Sequence, residues 1–229
     1  MDLIFVHGAL VRDGAWWWQR TAELLDLRSH SVALPSCEGE GGLAEDAAAL
    51  RHALDQVESA IVVGHSYGGT VIAEAGQHPS VSRLVYVSSY LPEVGEAQAA
   101  IMSGEPDPVS IAMDGDRLRL DGYDASSFGA RFLQDAPDAV DDAWARTASQ
   151  SAAAFITPTT QAGWQGVDST YLVCTDDRST TVALQRAHAA KATRSIDLPT
   201  GHHPFISRPN LVASAVSRIA RLGVREALD

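Results

Sequence analysis

The stretch AIVVGHSYGG, residues 60–69, decides the fold because it passes abruptly from a strand pattern to a helix. Its first half is a continuous aliphatic run, typical of a strand that is covered on both faces. Residues 67–77 have a helical pattern, so Ser66 lies in the turn between the two elements. The turn contains Gly-x-Ser-x-Gly, in which a sharp bend lifts the serine hydroxyl off the edge of a sheet. Gly64 and Gly68 are expected there because side chains would collide with the neighbouring strand and helix.

Similar apolar runs recur along the chain and alternate with helical patterns. The six predicted strands are residues 3–6, 31–34, 60–64, 83–88, 170–175 and 193–198. The five predicted helices are residues 16–27, 43–57, 67–77, 181–192 and 209–223, the last ending at Gly223. Strands that alternate with helices form βαβ units. We therefore predict an α/β fold with about six mostly parallel strands and helices on both faces.

Residues 92–168 interrupt this alternation. A segment that long between two strands of one sheet is expected to have structure of its own. DRLRL, residues 116–120, indicates a short strand, and the sequence after it indicates two or three helices. We predict that residues 1–229 form a single domain with an inserted, mainly helical cap at about 92–168, lying over the strand ends.

The charge and cysteine content exclude several classes of partner. A formal net charge of −12 repels phosphate backbones and anionic membrane surfaces, so neither nucleic acid nor a membrane is predicted as a partner. Cys37 and Cys174 match no metal-ligand spacing, and no signal-peptide pattern precedes them, which indicates reduced thiols in the cytoplasm. No metal and no other cofactor is predicted. The oligomeric state stays open, with a homodimer as one alternative.

Acidic residues and histidines follow two later strands. Asp176 and Asp177 come after the strand at 170–175, and His202 and His203 come after the strand at 193–198. Both pairs therefore lie at the carboxyl ends of parallel strands, where open α/β sheets build their sites. Alone, each pair would be interpreted as solvated turn residues. Together with Ser66 they give the order nucleophile, acid, histidine of a catalytic triad.

The turn after the first strand completes the predicted machinery. VHGAL, residues 6–10, lies where a loop N–H is expected to contribute to an oxyanion hole. The second donor is expected from the residue after the nucleophile. The predicted donors are the backbone N–H groups of Ala9 and Tyr67.

Four motifs in combination resemble the α/β-hydrolase branch of plant methylesterases, hydroxynitrile lyases and their bacterial esterase relatives. The motifs are VHGA followed by GAWWW, GHSYGG, YLVCTDD, and H-x-P-F-x-S-R-P near the end of the chain. The resemblance implies an α/β-hydrolase fold. It places the acid on Asp177, in a Cys-Thr-x-Asp stretch, and the histidine seven residues before Pro209, which is His202.

The sequence departs from this family next to the predicted histidine. The family often has Asp where this chain has Gly201, and the lyase members have a lysine where this chain has His203. Cyanohydrin cleavage needs a cation for the departing cyanide, and histidine is a poor substitute for lysine at neutral pH. A lyase activity therefore ranks below a hydrolase activity.

Five residues are candidate substrate contacts. They are His203, Arg12, Trp144, Phe155 and Trp164. Arg12 lies in the loop ALVRDGAW, which is about two residues longer than is usual in the family. Aromatic side chains suit the wall of an apolar acyl or ring site, although core packing explains them equally well.

The sequence supports three hypotheses of function. The first is a serine hydrolase that cleaves a small apolar ester, thioester or lactone through an acyl-enzyme on Ser66. The second uses the same cavity for lyase, cyclase or dehydratase chemistry in small-molecule biosynthesis, with His202 as general base, because a fold does not fix a reaction. The third is a ligand-binding protein that keeps a vestigial triad.

Overall fold

The computed structural model describes the backbone of residues 1–226 and the side chains of residues 1–222. The strands of this part are β1 Asp2–Val6, β2 Ser29–Val32, β3 Ala60–His65, β4 Val81–Val87, β5 Ile111–Asp114, β6 Arg117–Leu120, β7 Gln150–Ser151, β8 Ser169–Cys174 and β9 Arg194–Leu198. Its α-helices are α1 Gly14–Ala22, α2 Leu43–Leu54, α3 Tyr67–Ala75, α4 Gln98–Met102, α5 Ala125–Phe132, α6 Val140–Trp144, α7 Ala153–Ile156, α8 Val182–Ala189, α9 Pro204–Ser207 and α10 Pro209–Glu226. Short 3-10 helices occupy Pro137–Ala139 and Gly163–Gln165.

The main sheet has the strand order β2-β1-β3-β4-β8-β9, and every neighbouring pair is parallel. The strands β1, β3 and β8 are buried along their whole length, whereas the edge strands β2 and β9 alternate between covered and exposed residues. Continuous burial requires cover on both faces of a sheet. The parallel sheet confirms the predicted α/β fold.

Two apolar clusters cover the two faces of the sheet. On one face, Trp18 of α1 and Val216 of α10 pack with Phe5 of β1. On the other face, Leu50 of α2 and Val71 of α3 pack with the alternate residues of the same strands. Helices therefore lie on both faces, as predicted. Among the described residues, no helix is long and apolar enough to cross a membrane.

Several predicted boundaries were wrong; the first helix, for example, ends at Ala22 and not at residue 27. The second strand covers Ser29–Val32 and not residues 31–34, because an edge strand needs an apolar residue only on its covered side. The last helix continues through Gly223 to Glu226, because a glycine weakens a helix without necessarily ending it.

Residues 92–168, called the insertion below, lie between β4 and β8 and carry α4 to α7 and β5 to β7. The predicted strand at 116–120 corresponds to β6. It pairs antiparallel with β5 and β7, which the sequence analysis missed, so the insertion holds a small sheet as well as short helices. Isolated bridges join Val11 to Thr147 and Cys37 to Gln150. The insertion is therefore attached directly to the loops that follow β1 and β2.

Candidate active site

Ser66 stands at the strand-to-helix turn between β3 and α3. Its backbone has φ 50° and ψ −122°, a region that residues with a side chain rarely adopt. A Cβ on Gly64 would lie 2.7 Å from the Gly68 carbonyl oxygen, and one on Gly68 would lie 2.6 Å from that of Val6. The predicted need for glycine at both positions is confirmed. These close contacts hold the bend that turns the Ser66 side chain toward the cavity above the sheet.

His202 and Asp177 meet at the carboxyl edge of the sheet, beyond β9 and β8. The His202 Nδ1 atom lies 2.8 Å from Asp177 Oδ2, and both side chains are buried. Asp177 Oδ1 also accepts hydrogen bonds from the Ser179 and Thr180 amides, at 2.7 and 3.1 Å. Asp176, by contrast, is exposed. The contact thus selects one member of each pair that the residues alone left open.

The Asp177 carboxylate is held in its charged form. Burial alone would raise the pKa of this carboxyl, but His202, Ser88 and the Ser179 amide outweigh it and lower the pKa below its usual value. A carboxylate that accepts from Nδ1–H leaves Nε2 as the basic nitrogen of a neutral imidazole. His202 therefore presents Nε2 to the cavity that Ser66 also lines.

Ser88 is a contact that the sequence analysis missed. It follows β4, is fully buried and has a positive φ of 42°. Its hydroxyl donates to Asp177 Oδ2, and Ser88 Oγ lies 3.1 Å from His202 Nδ1. Ser88 ends a predicted strand at the edge where the site forms, which was its only sequence signal. The Ser88 hydroxyl therefore stabilises the contact between Asp177 and His202.

The two predicted oxyanion donors line the same cavity as Ser66. Within residues 1–226, the backbone N–H groups of Ala9 and Tyr67 have no hydrogen-bond acceptor. Leu10, next to Ala9, has a positive φ of 58°. Its N–H donates to Gln150 Oε1 at 2.9 Å. Both residues with an unpaired backbone donor therefore line the cavity, and the loop that carries Ala9 is anchored to Gln150.

Four buried histidines, His7, His65, His202 and His203, line this cavity. One ligand nitrogen from each of His65, His202 and His203 lies within 4.8 Å of the others, the closest approach to a metal-ligand set among the described residues. His65 Nε2 lies 3.0 Å from the His202 carbonyl oxygen, and His203 Nδ1 lies 3.0 Å from that of Phe132. Burial, together with His202, lowers the pKa of His65 well below its usual value and that of His203 to about 3. Both rings are therefore neutral near pH 7.

The cavity comprises about 700 Å³ of empty space, including its mouth. Its walls are mainly apolar, and much of them comes from the insertion. The insertion residues that line it are Gln98, Met102, Val109, Ile111, Leu120, Phe128, Phe132 and Phe155. Phe155 stacks on Tyr67, with ring centroids 5.6 Å apart. Of the five candidate substrate contacts, Phe155 and His203 lie in the wall.

The other three candidates lie outside the cavity wall. The Arg12 guanidinium pairs with Glu38 at 3.3 Å and donates to the Ala145 carbonyl oxygen, so it is directed to the surface. Trp144 packs behind the wall against Phe128. Trp164 donates its Nε1–H to the Pro92 carbonyl oxygen and packs on the opposite core. Both tryptophans therefore pack in the core and do not line the cavity.

The amino-acid sequence matches a known protein family. Residues 3–215 fit the model of the alpha/beta hydrolase family. The chain belongs to this family. The predicted α/β-hydrolase fold is thereby confirmed.

Similar proteins of this family include enzymes from fungi, bacteria and plants. A probable hydrolase of Phoma sp. is 28% identical over 194 residues, which cover 78% of each chain. A solved structure of a pyrethroid hydrolase from Sphingobium faniae has a TM-score of 0.81 at 25% identity and covers 96% of this chain and 97% of its own. Methylesterase 10 of Arabidopsis thaliana is 28% identical over 153 residues, 58% of this chain and 55% of the relative. The resemblance to methylesterases and bacterial esterases is confirmed.

Proposed function

We propose that this alpha/beta hydrolase cleaves a small, apolar, uncharged carboxylic ester through an acyl-enzyme on Ser66. The observation that carries the proposal is the 2.8 Å contact of His202 Nδ1 with the buried Asp177 carboxylate, because it directs Nε2 to the cavity that holds Ser66. Relatives named hydrolase and methylesterase support cleavage of an ester.

The proposed reaction has two halves. The Ser66 hydroxyl attacks the carbonyl carbon while His202 Nε2 takes its proton, and the Ala9 and Tyr67 amides stabilise the negative oxygen. His202 then protonates the departing alcohol, which leaves the acyl group on Ser66. A water molecule gives a proton to His202 and attacks the acyl carbon. The acid departs, and the proton returns to Ser66.

The substrate class follows from the walls of the cavity. Within the described chain, its lining contains no lysine, arginine or carboxylate. The nearby His65 and His203 rings are neutral, and an uncompensated charge in such a wall would be costly. A thioester or lactone of the same polarity would suit the site. No cation replaces the lysine of the lyases, so we rank cyanohydrin cleavage and other non-hydrolytic chemistry second.

The thiols bear on where the enzyme works. Cys37 and Cys174 are free, and burial raises the pKa of Cys37 to about 12 and raises that of Cys174 as well. Cys174 is buried and Cys37 is half-buried. Unpaired thiols are typical of a reducing compartment and support our proposal that the enzyme acts on small molecules in the cytoplasm. A homodimer remains a prediction.

The test is a set of initial rates on aryl esters of graded acyl length, for the parent and for Ser66→Ala. We expect rates that peak at one acyl length and disappear in the variant. A variant that keeps the parent rate would contradict the acyl-serine mechanism. A parent that cleaves no ester, but binds the esters, would favour the ligand-binding alternative. Product formation without hydrolysis would favour lyase or cyclase chemistry.

A further inference from the structure

One neutral amide lies in the apolar wall of the cavity and is not part of the proposed catalytic machinery. Gln98 begins α4 in the insertion and is 1% exposed. It lines the cavity beside Met102, Val109 and Ile111. A polar group is costly in such surroundings unless it has a partner.

Half of this amide has a partner. Gln98 Oε1 accepts a hydrogen bond from the Thr70 hydroxyl at 2.5 Å. Thr70 is fully buried in α3 and follows Ser66 by four residues, which places it on the same helix face one turn along. The carboxamide therefore contacts α3 about one turn beyond the nucleophile, and both residues line the same cavity.

The other half of the amide is unpaired. Among the described residues, no acceptor lies within hydrogen-bond distance of Gln98 Nε2. Several other unpaired polar atoms are fully enclosed by protein, but Gln98 Nε2 is not one of them. The opposite orientation of the amide would leave the Thr70 hydroxyl hydrogen unpaired, because Thr70 has no other side-chain partner in the described chain. The orientation with Nε2 toward the cavity keeps the fully buried Thr70 hydroxyl paired and leaves the two amide hydrogens for a ligand.

We propose that Gln98 forms a subsite for a neutral acceptor oxygen, a ketone, ether or second ester oxygen that the substrate carries away from its reacting carbonyl. The inference rests on the proposed function, in which Ser66 holds the reacting carbonyl. A carboxylate does not fit this subsite, because the described wall contains no cation to compensate it. A saturated hydrocarbon chain would leave the amide hydrogens unpaired.

The test compares pairs of aryl esters of equal length, one with a keto oxygen in the acyl chain and one all-carbon. The keto position is varied along the chain. For the best-placed oxygen, we expect the parent enzyme to prefer the keto ester by about 3- to 10-fold in kcat/KM, the range for one hydrogen bond. In Gln98→Met the ratio is expected to fall to about 1. Because the readout is a ratio within one variant, a general loss of activity does not affect it.

Two matched variants of Thr70 test how the amide is oriented. Thr70→Ser keeps the hydroxyl that bonds to Oε1 and is expected to keep the preference for the keto ester. Thr70→Val removes that hydroxyl and is expected to reduce the preference. If Gln98→Met keeps the parent ratio, the subsite proposal is wrong. It is equally wrong if the parent shows no preference for the keto ester at any position of the oxygen.

Binding to Ser66→Ala separates failure of the subsite from failure of the proposed function. Calorimetry with an aryl ketone and the alkylarene of equal length requires no turnover. Preference for the ketone in Ser66→Ala, lost in Ser66→Ala with Gln98→Met, would support the subsite even if the parent cleaves no ester. Equal affinity for both ligands would overturn it even if ester cleavage is fast.

Discussion

Residue by residue, the candidate site depends on which member of each adjacent pair takes part in the contact between Asp177 and His202. Asp177 is buried and contacts His202, whereas Asp176 points to solvent one residue earlier. Motif order predicted both pairs, and the family resemblance favoured Asp177 and His202. Periodicity could not choose between them, since the two positions differ only in the path of a short turn.

Asp177→Asn tests the acid directly. The amide cannot hold the charged imidazole and favours the wrong tautomer, so kcat is expected to fall about 10³- to 10⁴-fold. The matched control is Asp176→Asn, which removes the adjacent exposed carboxylate and is expected to keep the parent rate. Steady-state kinetics on one aryl ester measure both. A larger loss for Asp176→Asn than for Asp177→Asn would reassign the acid.

Ser88 and Gly201 make contacts that could not be predicted from a single sequence. The Ser88 hydroxyl reaches Asp177 only because the ends of β4 and β8 are neighbours in the sheet. A Cβ on Gly201 would lie 2.8 Å from Asp135 Oδ1, and the Gly201 N–H donates to Asp135 Oδ2. An acidic side chain of the insertion therefore contacts the residue before His202. Both contacts depend on tertiary neighbours, which local patterns do not report.

Among the elements, the loop after β1 depends on the insertion for its shape. Leu10 donates its N–H to Gln150 Oε1, and its carbonyl oxygen accepts from the Ala148 N–H at 2.8 Å. Gln150 Nε2 in turn donates to Ser36 Oγ at 2.9 Å. The Ser36 hydroxyl continues to Asp46, whose Oδ2 also accepts from the Tyr67 hydroxyl at 2.7 Å. One buried chain of hydrogen bonds thus runs from Leu10, the neighbour of Ala9, to Tyr67.

Gln150→Leu is expected to disturb that chain. It leaves the buried Leu10 N–H without an acceptor and frees the loop that presents Ala9. We expect kcat to fall by up to about 100-fold with a smaller change in KM, because the loop acts on the transition state. Affinity for an alkyl boronic acid, which mimics the tetrahedral oxyanion, should fall in parallel.

Ser149→Ala is the matched control for this change. Its side chain bonds to Arg117 and not to the loop, so the variant disturbs the same segment without removing the anchor. We expect it to keep the parent kcat and boronate affinity. Equal losses in Ser149→Ala and Gln150→Leu would mean that the segment has only a structural role.

The elements were predictable to different degrees. Long buried strands can be predicted from their continuous apolar runs, and the helices between them from their helical patterns. β5 is half exposed, and β7 has only two residues and pairs with a strand that is distant in sequence. The predicted cap therefore lacked its small antiparallel sheet, although its place in the chain was expected.

At the scale of the whole molecule, buried histidines link stability to pH. Burial lowers the pKa of His7, His65, His188 and His203, to about 4 for His188 and about 3 for His203. In the unfolded chain these groups titrate near 6.5. Between those values and about 6.5 the unfolded state binds more protons, so the free energy of unfolding falls as the pH is lowered through that window.

His188→Asn isolates one of these groups away from the candidate site. His188 Nδ1 accepts from the Leu91 N–H at 3.2 Å, and an asparagine oxygen can replace that acceptor without binding a proton. The pKa of His188 is near 6.5 in the unfolded chain and about 4 in the folded protein. His188 is therefore expected to contribute about 2 kcal/mol of the free energy of unfolding that is lost between pH 7 and pH 5. Urea unfolding at both pH values measures the decrease in the free energy of unfolding, which is expected to be smaller by that amount in His188→Asn. The control His52→Asn replaces an exposed imidazole and is expected to show the same decrease as the parent. Identical losses in all three proteins would show that His188 is not held neutral by the fold.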